Sequence, residues 1–80
     1  MSKVIIYSTP TCVYCKMAKE FFGKNGIAYE EHNVAEDLKA REEMFAKSRQ
    51  MGVPVIDVDG NIVVGFDKRN LEQLLLPVKK

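Results

Sequence analysis

Positions 3–7 read Lys3-Val4-Ile5-Ile6-Tyr7, an apolar and largely β-branched run without a polar alternate position. A strand of that composition has no side to leave in water, so it belongs inside a sheet with covering elements on both faces. The chain of 80 residues has room for one modest core. Residues 1–80, with neither repeat nor low-complexity linker, read as a single domain.

The cover is legible downstream. Ser8-Thr9-Pro10-Thr11 favours a turn, and from Val13 to about Lys24 apolar residues recur at helical spacing (Tyr14 or Cys15, Ala18, Phe21, Phe22) until Gly23 and Gly26 supply a stop. Ile27 to Asn33 alternates as a second strand. Glu36 to about Arg49 reads as a second helix carrying Leu38, Met44, Phe45 and Ser48 toward one side, with Met44 and Phe45 in the core and the charges on a solvated face. Val53–Val58 and Asn61–Val64 flank Asp59-Gly60, a two-residue turn that supplies the positive φ angles a tight hairpin requires. Asp67 can cap a short third helix with Leu71, Leu74 and Leu75 inward, closed by Pro77. The order βαβαββα is an α/β arrangement. Its right-handed crossover makes the first two strands parallel, and the hairpin completes a four-stranded mixed sheet flanked by helices.

Both cysteines lie together in Cys12-Val13-Tyr14-Cys15, just past the carboxyl end of the first strand, where open α/β sheets place their ligands. A bond between residues three apart closes too small a loop to remove much unfolded-state entropy, so the pair is chemical rather than structural. A thiolate is the species that attacks a disulfide, and the first turn of a helix lowers a thiol's pKa through its unpaired N–H groups and dipole. The dipole contributes roughly 0.3 to 1 kcal/mol, about 2 when partly buried, so direct hydrogen bonds must supply the rest. Cys12, at the helix mouth, is the expected nucleophile; Cys15, one turn on and tucked toward the sheet, is the expected resolving thiol. Two cysteines at this spacing are also half of a zinc site. No second pair follows, and the single histidine, His32, reads as a solvated surface residue, so no metal is assigned.

Composition excludes several partners. Twelve Lys and Arg against eleven Asp and Glu give a net charge of +1, with no electrostatic footprint for nucleic acid or an anionic membrane. Val4 to Tyr7 is too short for a signal-peptide core or a membrane span, which leaves the cytoplasm as the expected location.

Cys12-Val13-Tyr14-Cys15 after a first strand, Val53-Pro54 opening the hairpin, and Gly65-Phe66-Asp67 before the last helix together resemble the glutaredoxins, especially short bacterial glutaredoxin-like proteins, over essentially the whole chain. The resemblance implies a thioredoxin-like fold, a cis peptide between Val53 and Pro54, and Pro54 facing the Cys12 sulfur. It implies a groove bordered by Tyr14, in which the Val53 backbone pairs with a glutathione or peptide strand. The start of the last helix, at Gly65, Phe66 and Asp67, would receive the γ-glutamyl carboxylate. It implies a monomer that reduces protein or glutathione mixed disulfides, with glutathione as co-substrate and no bound cofactor. Val13, Thr9 and Gly52 stand where many glutaredoxins have Pro, a basic residue and Thr; Arg49, Gln50 or Lys68 are the side chains available to compensate. Gly65-Phe66 also resembles the redoxins that take electrons from thioredoxin reductase, without their flanking Trp-Ser and Arg-Pro. Val13 between the cysteines keeps a further alternative open, a dimer holding a glutathione-ligated iron–sulfur cluster.

Overall fold

A computed structural model describes residues 3–75. Its elements are β1 (Val4–Ser8), α1 (Val13–Lys24), β2 (Glu30–Asn33), α2 (Leu38–Ser48), β3 (Val55–Val58), β4 (Asn61–Val64) and α3 (Lys68–Leu75). The sheet order is β2-β1-β3-β4. β1 runs parallel to β2, with Ile6 opposite Glu31, and antiparallel to β3, with Ile6 opposite Ile56.

The apolar opening run is the centre of this sheet, and its alternation feeds two cores. Val4 and Ile6 join Ile56, Val58 and Val63 against Ala18, Phe21, Phe22 and Leu71, from α1 and α3. Tyr7 and Val55 face the other way, against Ala40 and Met44 of α2 and Val34 of the loop before it. A polar clasp fastens α2 to its face: the Lys47 ammonium donates to Asp57 Oδ2 and to the Tyr7 hydroxyl, each at 2.7 Å. The hairpin is as expected, with Asp59 at φ 53° and Gly60 at φ 93°, both in the region that a type I′ turn requires. Asp67 Oδ1 accepts the Asn70 N–H at 3.2 Å and caps α3.

Five expectations are corrected. The second strand begins at Glu30 rather than Ile27, because Gly26, at φ 66°, ends α1 in a left-handed turn and the Ile27 N–H is committed to the Phe22 carbonyl at 2.9 Å. α2 begins at Leu38 rather than Glu36, because Asp37 is its cap and accepts the Ala40 N–H. The side of α2 turned to the sheet carries Ala40 and Met44, while Leu38 and Phe45 are 69% and 48% exposed. The β3 ladder begins at Val55, so Val53 and Pro54 form a loop ahead of it. His32 is half-buried rather than solvated: it stacks on Tyr7 with ring centroids 5.5 Å apart and bonds Glu30 at 2.8 Å. Pro77 lies outside the described residues.

Met44 is 1% exposed, so Met44→Ala is expected to cost about 2–5 kcal/mol. Phe45→Ala is expected to cost about 1 kcal/mol, less than Met44→Ala, since about half of it stays in water. Urea midpoints of the two variants test this directly, and equal losses would mean that the buried side of α2 has been misassigned.

Candidate functional site

The end of β1 hands the chain to α1 through a tight turn. Pro10 and Thr11 occupy its centre, and the Cys12 N–H closes it on the Thr9 carbonyl at 3.3 Å. Proline presets the backbone angle that the second residue of such a turn needs. Cys12 is thereby delivered to the N-cap of α1 in extended geometry, φ −84° and ψ 114°. Its sulfur accepts the Cys15 N–H at 3.1 Å. A capping position normally filled by a Ser, Thr, Asp or Asn oxygen is here filled by sulfur, at the end of the helix where negative charge is favoured.

Cys12 and Cys15 are joined as a disulfide, with Cα atoms 5.2 Å apart. Their surroundings differ. Cys15 is wholly buried, whereas Cys12 is partly open. An incoming molecule therefore meets Cys12 first.

A second network fixes α1 to the sheet below the cysteines. The buried Ser8 hydroxyl donates to Glu31 Oε2 at 2.9 Å, and the Lys19 ammonium donates to the same oxygen at 2.8 Å. The Lys19 and Ser8 hydrogen bonds, in that order, hold the Glu31 carboxyl below its ordinary range against the opposing effect of burial.

Beside the cysteine turn lies a groove of about 450 Å³ lined by Tyr14, Val53, Pro54, Gly65, Phe66 and Asp67, together with Val64 and Lys68. All six groove residues expected from the sequence are brought together. Neither cysteine is among the lining side chains; Cys12 is linked to the groove through Tyr14 on the same helical turn. The Val53–Pro54 peptide is cis. Gly65 donates its N–H to the Pro54 carbonyl at 2.8 Å, tying the end of β4 to the loop. Among the described residues, neither the Val53 N–H nor its carbonyl takes part in a hydrogen bond, so both are available to an extended ligand.

The residues considered as compensating for Val13, Thr9 and Gly52 separate. Lys68 lines the groove. Gln50 does not: its amide grips the Gly52 backbone, accepting from its N–H at 2.7 Å and donating to its carbonyl at 3.0 Å. A Cβ at position 52 would stand 2.7 Å from Gln50 Oε1, so glycine leaves space for this clamp. Arg49 is the left-handed C-cap of α2, at φ 63°. Val64 was not anticipated. The signal was an apolar residue at the outward end of β4, directly before Gly65.

Among the described residues, no group of three or more His, Cys, Asp or Glu side chains could hold a metal ion, and no helix is long and apolar enough to cross a membrane.

Against this geometry the comparisons are consistent. The glutaredoxin family model matches residues 4–63. The chain is 53% identical over 70 residues to a glutaredoxin-like 8.6 kDa protein in the rubredoxin operon of Clostridium pasteurianum, covering 88% of this chain and 93% of that one. It is 34% identical over 67 residues to glutaredoxin 3 of Escherichia coli, with coverages of 84% and 81%. The crystal structure of the thioredoxin-like protein BC3987 superposes with a TM-score of 0.85 at 36% identity, covering 90% of this chain and 99% of that one. The architecture is the thioredoxin-like α/β fold.

The Glu31 network gives a pH prediction. A carboxyl whose folded pKa lies below its ordinary value of 4.5 binds fewer protons folded than unfolded; its stabilisation is present above the ordinary value and lost as pH falls through the folded one. Wild type is therefore expected to exceed Glu31→Gln in urea midpoint at pH 7, and the gap to narrow progressively as the pH falls below 4.5. A gap that persists in acid would show that the charge on Glu31 is not what matters.

Proposed function

Since this chain belongs to the glutaredoxin family, we propose that its Cys12–Cys15 pair reduces disulfides of proteins and of glutathione, with glutathione as the reductant. The observation that carries the proposal is the asymmetry of the pair: a partly open sulfur capping a helix N-terminus, over a wholly buried partner. The reduced Cys12 thiolate takes up the N–H donation that its sulfur receives from Cys15. It attacks one sulfur of the substrate disulfide, forming a bond to that sulfur and expelling the other as a thiolate, which takes a proton from water.

Cys15 completes the exchange. It loses its proton, attacks the Cys12 sulfur and releases the second substrate thiol; two electrons have left the dithiol, and the Cys12–Cys15 disulfide is the product. One glutathione thiolate then attacks Cys12, returning Cys15 as a thiol. A second glutathione attacks the bound glutathionyl sulfur, releasing glutathione disulfide and the Cys12 thiolate.

The groove supports glutathione or an extended peptide as ligand. The unpaired Val53 N–H and carbonyl suit antiparallel pairing with a short strand. A carboxylate would sit at the α3 N-terminus near Phe66 and Asp67, with the Lys68 ammonium alongside.

Turnover of a small mixed disulfide is expected with glutathione, glutathione reductase and NADPH. Turnover with thioredoxin reductase and NADPH alone would replace glutathione by a flavin enzyme as reductant. Cys12→Ser is expected to abolish attack. Cys15→Ser is expected to attack and then accumulate a covalent adduct on Cys12, visible as a mass increase equal to the substrate thiol. The opposite pattern would exchange the roles of the two cysteines.

A further inference from the structure

The groove ends at Phe66. On the far side of that ring lies a second cavity of about 260 Å³ between α1 and α3, lined by Met17, Glu20, Phe21, Lys24, Phe66 and Lys68. It shares Phe66 and Lys68 with the first, so the two adjoin across that wall. Its floor is built into the core: Phe21 is 7% exposed and meets Phe66 edge-on, with centroids 6.0 Å apart. A floor held in this way keeps its shape when empty.

The approach to this cavity is apolar and its rim is basic. Val13, Tyr14 and Met17, at 67%, 60% and 42% exposure, form a strip along α1 from the cysteine turn to the cavity. Large exposed apolar side chains beside a reactive sulfur are the mark of a surface that binds another chain. At the rim, two ammonium groups, Lys24 and Lys68, stand against one carboxylate, Glu20. Among the described residues none of the three takes part in an ion pair. The cavity therefore presents an apolar floor under a net positive edge.

We propose that this cavity is a specificity subsite for protein disulfides, taking an apolar side chain accompanied by a carboxylate from the segment next to the attacked cysteine. The proposal rests on the disulfide-exchange reading above and names the protein substrates that the site prefers, acidic and apolar near the reactive cysteine. The wall shared with the groove and the excess of positive charge carry it. The apolar part provides contact area on Met17, Phe21 and Phe66, and the carboxylate answers Lys24 and Lys68.

The test uses synthetic peptides whose single cysteine is disulfide-bonded to glutathione, with Leu-Glu or Leu-Lys placed at successive positions on either side of it. Each turnover converts one peptide mixed disulfide and one glutathione into the peptide thiol and glutathione disulfide, so electrons balance. Exposed charge pairs shift equilibria by roughly twofold to fivefold and are screened by salt. The best Leu-Glu peptide is therefore expected to exceed its Leu-Lys counterpart about threefold to tenfold in kcat/KM, and high salt to erase the difference. Lys24→Glu should reverse the preference and Lys24→Gln should abolish it, while both variants keep wild-type turnover of a small mixed disulfide. Met17→Ser should slow both peptides.

Equal rates on the two peptides, with the small disulfide still turned over, would overturn the subsite alone. Inactivity on all substrates would overturn the exchange reading and the subsite with it. A sedimenting dimer whose activity per chain falls as protein concentration rises would assign the cavity to a second copy of this chain, and that too would overturn the proposal.

Discussion

Everything in this molecule hangs on β1 being apolar on both faces. Val4 and Ile6 cannot be satisfied without α1 and α3, and Ile5 and Tyr7 cannot be satisfied without α2. Because β1 is also bonded along both edges, to β2 and β3, its carboxyl end has one exit, upward into the Pro10-Thr11 turn. Cys12 is placed by that exit. The hydrophobic requirement of four residues thus settles where the Cys12 sulfur can stand, and the hydrogen bonds of the turn settle its orientation.

The chemistry then follows from asymmetry rather than from unusual residues. Two identical thiols three positions apart stand in different surroundings, because one caps a helix and the other is wholly buried. A buried thiol is protected from solvent and from wrong partners, and an exposed capping sulfur gains N–H donation when it is negative. The network from Ser8 through Glu31 to Lys19 bears on the same point from behind, since it holds the helix that carries both sulfurs against the strand that delivers them.

The match between sequence and structure is uneven in an instructive way. β1, α1, the Asp59-Gly60 hairpin and the Asp67 cap were legible because each depends on neighbours in the chain: a run of branched residues, a 3.6-residue period, a turn dipeptide, a capping side chain. The cysteine pair was legible from its place at the mouth of a helix, whereas the groove residues came from a family pattern spread over the whole chain. What escaped were contacts between distant segments. Ile27 has the right composition for a strand but spends its N–H on the end of α1. Phe45 has the right composition for a core residue, but α2 is rotated so that Met44 meets the sheet instead. His32 acquires a Tyr7 partner across the β1–β2 pair, which no periodicity in its own strand could announce.

By itself, then, the sequence determined the order of elements, the two-sided cover of the first strand, and the presence of a redox-capable dithiol at the mouth of a helix. Local backbone preference and hydrophobic periodicity act over a few residues, so these things are written where they happen. Only the tertiary structure decided how far each cysteine is covered, wholly for Cys15 and partly for Cys12. It also decided that Gln50 braces Gly52 while Lys68 faces the groove, and that Phe66 divides one cavity from the next. Those outcomes depend on how α1, α3 and the loop before β3 pack together. Packing is set by shape and distance between segments far apart in the chain, which no local pattern of residues encodes.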